Sequence, residues 1–132
     1  MTTLIRNGRI IDPANGRDEI GDLWLVDGRI SEPSKKGARD TIDATGWAGI
    51  AGLTDIQVDF RERGFGWKET IASGGRAAAA GGFTTVVCMP NTSPAADSPS
   101  TIEWIKDRAA EVASVRVLPT GAISKNLAGE EL

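Results

Sequence analysis

A chain of 132 residues with 40% apolar content can bury one ordinary core, but it is shorter than the ~250 residues typical of a complete β/α barrel. A net charge of −3 and a pI near 5.0 exclude a basic nucleic-acid footprint, and Lys35-Lys36 reads as a solvated loop. The single cysteine, Cys88, excludes an internal disulfide and fits a reducing cytoplasm. Arg6 and Arg9 interrupt the first apolar run, so no leader is expected, and no stretch reaches the ~18 apolar residues of a membrane span. The expectation is a cytoplasmic protein with no nucleic-acid or membrane partner.

Residues 1–50 predict a small β-rich module. Ile5-Arg6-Asn7-Gly8-Arg9-Ile10 and Leu25-Val26-Asp27-Gly28-Arg29-Ile30 both carry hairpin signals, because Asn-Gly and Asp-Gly tolerate the positive φ of a type I′ turn. Asp12-Pro13-Ala14-Asn15-Gly16 is a longer turn between them, and a further short strand is expected at Thr41-Ile42-Asp43. Shared turn chemistry accounts for the likeness of the two segments better than an internal repeat does.

Residues 51–132 alternate strand and helix. Ile50 to Asp59 reads as a strand buried on both faces, followed by a loop from Arg61 to Gly66. Trp67 to Ala80 has helical length, with Lys68 and Glu69 in its first turn and Gly81 suited to a left-handed cap. Gly74-Gly75 inside that helix costs ~1 kcal/mol each against alanine, which close approach to a strand would offset. Phe83 to Cys88 is a second strand and Pro90 to Pro99 a polar loop. Ser98 or Ser100 caps a helix running to Ala113, whose apolar face is Ile102, Ile105, Ala109 and Val112. Val115 to Pro119 is a third strand. The order predicts an α/β fold with a parallel sheet, and by itself it leaves open a barrel or a doubly wound sheet.

Chemistry concentrates where the first two of these strands end. Residues two apart on a strand share a face, which groups Gln57, Asp59 and the start of Arg61. In a β/α barrel those C-terminal ends form the active-site mouth. Arg61 presents a planar fork that matches a carboxylate, and Asn91, at the end of the next strand, adds an amide donor. The plainer readings are an ion pair of Asp59 with Arg61 or another barrel charge, and a salt bridge of Arg61 to Glu62 or Asp59. Cys88, within an apolar strand, reads as an inert buried thiol, and Asp97 as a turn or cap residue. The glycine pairs lack the lysine of a phosphate loop, and Trp24, Trp47, Trp67 and Trp104 are too scattered for a stacking platform.

Three runs carry a resemblance that covers nearly the whole chain: Asn7-Gly8-Arg9-Ile10-Ile11-Asp12-Pro13, the block from Lys68-Glu69 through Gly81-Gly82-Phe83-Thr84-Thr85 to Met89-Pro90-Asn91-Thr92, and Leu118-Pro119-Thr120-Gly121-Ala122-Ile123-Ser124-Lys125. They resemble the dihydroorotases and allied cyclic amidohydrolases. The resemblance decides for a metal-dependent-hydrolase-type TIM barrel, incomplete in this chain: residues 1–50 as part of a side domain that pairs with an absent C-terminal tail, and residues 51–132 as the first three β/α units. It implies a longer parent.

The same resemblance identifies what is changed. The family's first strand ends in His-x-His followed by Arg, and Gln57 and Asp59 stand at the two histidine positions of a chain with no histidine. Ala51 and Arg63 replace prolines of the family pattern. An amide oxygen is a poor zinc ligand, and one carboxylate does not make a site. No catalytic residue, metal site or cofactor is therefore expected here, with zinc confined to active relatives. Arg61 and Asn91 stand where the family grips its substrate carboxylate. Some family members lacking the metal ligands act as non-catalytic partners of aspartate carbamoyltransferase in pyrimidine biosynthesis, and this chain looks like one of them. The competing readings are a working dihydroorotase and another cyclic amidohydrolase, such as a hydantoinase or allantoinase. An oligomer is expected.

Overall fold

The computed structural model describes all 132 residues, which divide into two compact units, Met1–Ala51 and Gly52–Leu132. The first is a five-stranded mixed sheet built on its long first strand. Strands β1 (Thr2–Asp12) and β2 (Arg17–Val26) pair antiparallel, and β3 (Arg29–Ser31) continues from β2. Asp27 and Gly28, both at positive φ, make the predicted tight turn between β2 and β3. The Asp12–Gly16 turn also forms, as a single 3₁₀ turn at Pro13–Asn15 closed by left-handed Gly16.

The other Asn-Gly signal does something different. Asn7 has a φ of 61°, yet β1 runs straight through it, and the register with β2 slips between Ile5 and Gly8. This is a β-bulge, not a hairpin: the same positive φ that closes a turn also lets one strand absorb an extra residue. Asp22 holds the bulge by accepting the Asn7 backbone N–H at 3.0 Å. In the same module β4 (Asp40–Asp43) and β5 (Ala48–Ile50) both lie parallel to β1. Ile50, expected in the first barrel strand, therefore belongs to β5.

The second unit is a three-stranded parallel sheet in the order β6 (Leu53–Val58), β7 (Phe83–Cys88), β8 (Arg116–Pro119), connected through α1 (Ile71–Ala80) and α2 (Pro99–Val112). Its core gathers Phe60, Ile71, Val86, Cys88, Ala96, Ile105 and Ala109, with Ile71, Val86 and Ile105 fully enclosed. The expected apolar face of α2 is present, with Ile105 and Ala109 buried and Ile102 and Val112 packed at its margin. Ser98 takes the N-cap position, but its side chain makes no capping hydrogen bond and lies instead against the Thr101 hydroxyl at 3.0 Å. By contrast β6 is not buried on both faces: Ile56 is 75% exposed and Leu53 43%. It pairs only with β7, so one flank and one face lack cover.

Helix α1 begins later than expected. Thr70 is its N-cap, accepting the Ser73 N–H at 3.0 Å while Ser73 returns a bond to the Thr70 N–H. Its end is also displaced by one residue: Gly81 keeps a φ of −82°, and Gly82, at +82°, takes the left-handed conformation. The glycine pair inside α1 does serve close approach, but to side chains and a loop. A Cβ at Gly74 would fall 2.2 Å from the buried Phe60 ring, and one at Gly75 would lie 3.2 Å from the Ser114 nitrogen. No helix is long and apolar enough to cross a membrane.

Candidate anion site at the strand ends

All three strands of the second unit run parallel, so Val58, Cys88 and Pro119 end at the same edge of the sheet. Two loops meet there. The loop after β6 turns at Arg61, whose carbonyl accepts the Phe65 N–H at 2.9 Å. The loop after β7 is tied to it by the Ser93 N–H donating to the Arg63 carbonyl at 2.9 Å. Gly64 makes the approach possible: its φ is +95°, and a Cβ there would sit 2.4 Å from the Ser93 carbonyl oxygen. The second loop is fixed from its other side, where Ala122 donates to the Ala96 carbonyl at 2.8 Å and Asn126 to Asp97 Oδ2 at 2.8 Å. Asp97 thus holds a turn.

Asp59, Arg61 and Asn91 come together at this junction. Arg61 Nη2 donates to Asp59 Oδ2 at 2.9 Å, and Asn91 Nδ2 donates to Asp59 Oδ1 at 2.7 Å. One half-exposed carboxylate is therefore gripped by a guanidinium from one loop and an amide from the next. Asn91 turns its donor edge to Asp59 although its Oδ1 is then buried without a partner. An orphaned buried acceptor costs about 1–3 kcal/mol, and facing that oxygen to the carboxylate instead would add repulsion. The ion pair of Asp59 with Arg61 is thus the one that forms, and Arg61 leaves Glu62 for other work. The Gln57 amide takes no part: β6 ends at Val58 after a register slip, and the Gln57 backbone N–H is held by Asp55 Oδ1 at 2.9 Å.

Sequence reasoning offered Glu62 only as a partner for Arg61. Its Oε2 accepts the first helical N–H of α1, at Ile71, at 2.9 Å, while Oε1 accepts Arg108 Nε of α2 at 3.0 Å. A carboxylate at a helix N-terminus opposes the macrodipole, and this one also ties the two helices together. The Arg61-Glu62 adjacency carried the signal, since one acid at a turn before a helix is a candidate cap. Arg63, in a proline's place, lays its guanidinium 5.4 Å from the Trp104 ring centre. Cys88 is buried, its thiol pushed up to about 11 by burial, and its carbonyl accepts both the backbone N–H and the hydroxyl of Thr120.

The sequence that builds this sheet edge and its two interlocked loops matches a known family over the whole of the second unit. The dihydro-orotase-like family model matches residues 48–132. The chain belongs to this family. A dihydroorotase of Solibacter usitatus is 49% identical over all of this chain and 31% of its own length. A protein of Pseudomonas aeruginosa named dihydroorotase-like protein is 42% identical, again over all of this chain and 32% of its own. The chain thus spans about a third of the length of these relatives. Among solved structures, a D-hydantoinase is 28% identical with a TM-score of 0.75, covering 94% of this chain and 28% of that one. L-hydantoinase from Arthrobacter aurescens shares the fold, with a TM-score of 0.80 over 95% of this chain and 29% of that one, at 23% identity. The sheet is accordingly the first part of an amidohydrolase β/α barrel, of which this chain holds three strands.

The zinc chemistry that the family implies can be tested against the donors present. At the two positions in question stand a neutral amide, Gln57, and a carboxylate, Asp59, whose two oxygens are already bonded to Arg61 and Asn91. No group of three or more histidine, cysteine or acidic side chains gathers anywhere in the chain. Zinc takes nitrogen, sulfur or carboxylate ligands, usually four in all with at least three from protein. These residues do not fit it.

Proposed function

We propose that this chain is part of a dihydroorotase-like protein of pyrimidine biosynthesis that lacks catalysis and acts in the cytoplasm as a scaffold for aspartate carbamoyltransferase. The carrying observation is the engagement of Asp59 by Arg61 and Asn91, with Gln57 beside it, where the resembling enzymes place two histidines. Metal-assisted hydrolysis requires an ion that lowers the pKa of bound water from ~16 toward ~7, and a ligand set able to hold that ion. Gln57 and Asp59 do not supply that set, so zinc belongs to active relatives and this chain carries no cofactor. The partner follows from the resemblance to family members without metal ligands, which serve that transferase.

A working dihydroorotase is the second reading, favoured by relatives of that name at 49% and 48% identity. A hydantoinase- or allantoinase-like activity has the fold in its favour, but Arg61 with Asn91 suits a substrate that bears a carboxylate. Two measurements separate these readings. Carbamoyl-aspartate should not cyclise above background with the chain, with or without added zinc, and Gln57→His with Asp59→His should not restore turnover. The chain, or a longer protein containing it, should co-elute with aspartate carbamoyltransferase catalytic chains. Turnover by the unmodified chain establishes the enzyme reading, and separate elution removes the scaffold role.

A further inference from the structure

Arg61 and Asn91 reach the junction from two different loops, and each turns a donor toward the same carboxylate. Two such groups converging on one point make a receptor for a planar anion, with Arg61 supplying charge and Asn91 direction. The receptor already has an occupant, because each oxygen of the Asp59 carboxylate takes one of the two donors. No other acidic side chain bonds the Arg61 guanidinium. The amide of Asn91 faces the anion with its donor edge although its Oδ1 is then buried without a partner. Asp59 is also half exposed, so its carboxylate lies where a dissolved carboxylate could arrive.

We propose that Asp59 is a built-in anion that fills the carboxylate receptor formed by Arg61 and Asn91, so that the chain shuts out small free carboxylates. The inference rests on the reading of Arg61 and Asn91 as a carboxylate-gripping pair, and it adds why the pair is closed to a ligand. The residue at the second lost histidine position then does two things: it fails to provide an imidazole, and it occupies the neighbouring subsite. Asp59 is a specificity-determining residue, and removing it opens the receptor without building any catalytic group.

The test is titration of the full 132-residue chain with sodium acetate, against sodium chloride at matched ionic strength, reading the Asn91 side-chain amide by NMR. Asp59→Ala should show a saturable shift, with acetate bound about tenfold or more tighter than by the unmodified chain, as expected for freeing one charge-assisted pair of donors. Adding Arg61→Ala to that variant should abolish the response. Asp59→Asn, nearly isosteric and neutral, should show a smaller gain and serves if the alanine variant does not keep the native amide spectrum. Equal saturable binding by the unmodified chain and Asp59→Ala would overturn the self-filled site while leaving the Arg61–Asn91 pair intact. No saturable response in a natively folded Asp59 variant would overturn both. Neither result depends on the turnover assay, so failure of the scaffold reading is seen separately.

Discussion

Single side chains set tight tolerances in this protein, and Gly74 is the clearest case. Alanine is the better helix former, yet its Cβ would enter the ring of Phe60, which is only 5% exposed. Gly74→Ala should therefore lower stability by ~1–3 kcal/mol, in the range of core overpacking, as a reduced urea midpoint at unchanged slope. An unchanged or raised midpoint would show that the ring moves aside freely. Cys88 makes a second prediction. Its thiol stays protonated up to about 11 because burial disfavours the thiolate. It should react with an aromatic disulfide slowly at pH 8 in the native protein and quickly in denaturant. The folded value is raised, so the contribution of this group to stability is full below the ordinary thiol range and is lost as pH climbs through it toward 11. The apolar run around Cys88 made its inertness legible in the sequence. The Asp59–Asn91 bond was not legible, because it joins loops 32 residues apart and competes with other partners equally near in sequence.

The elements themselves were largely legible, since β7 and α2 have strong patterns and bury what those patterns offer. Errors fell where one signal serves two geometries. Asn7-Gly8 has the positive φ of a turn and uses it in a bulge, and Trp67 to Glu69 look helical but precede the Thr70 cap. The start of α1 rests on Thr70 and on Glu62, which also holds Arg108. Glu62 is 17% exposed on its side chain, so its bonds are only modestly screened. Glu62→Ala should cost about 1–2 kcal/mol and increase hydrogen exchange in the first turn of α1, with Thr70→Ala adding ~1 kcal/mol. Protection of Ile71 and Ala72 amides that is unaltered in both variants would contradict this account of the helix start.

At the scale of the whole molecule, the second unit holds three barrel strands with neighbours on one side only at β6 and β8. Each flank carries unpaired backbone groups, and Ile56 and Leu118 are exposed beside them. Ala77, Ala79 and Ala80 on α1 are exposed as well. The chain on its own should therefore self-associate through these edges and elute as a folded oligomer, with weaker exchange protection in β6 and β8 than in β7. A monodisperse monomer with strongly protected edge strands would contradict that expectation. The barrel itself was read from resemblance, because strand–helix order alone also permits an open sheet.

The central claim is that the junction of β6 and β7 has its polar groups committed to one another and not to a metal. Elemental analysis of the purified chain after equilibration with zinc and desalting tests it most directly. The account predicts zinc far below one equivalent, unchanged by Asp59→Ala. Near-stoichiometric zinc that disappears in Asp59→Ala would contradict it.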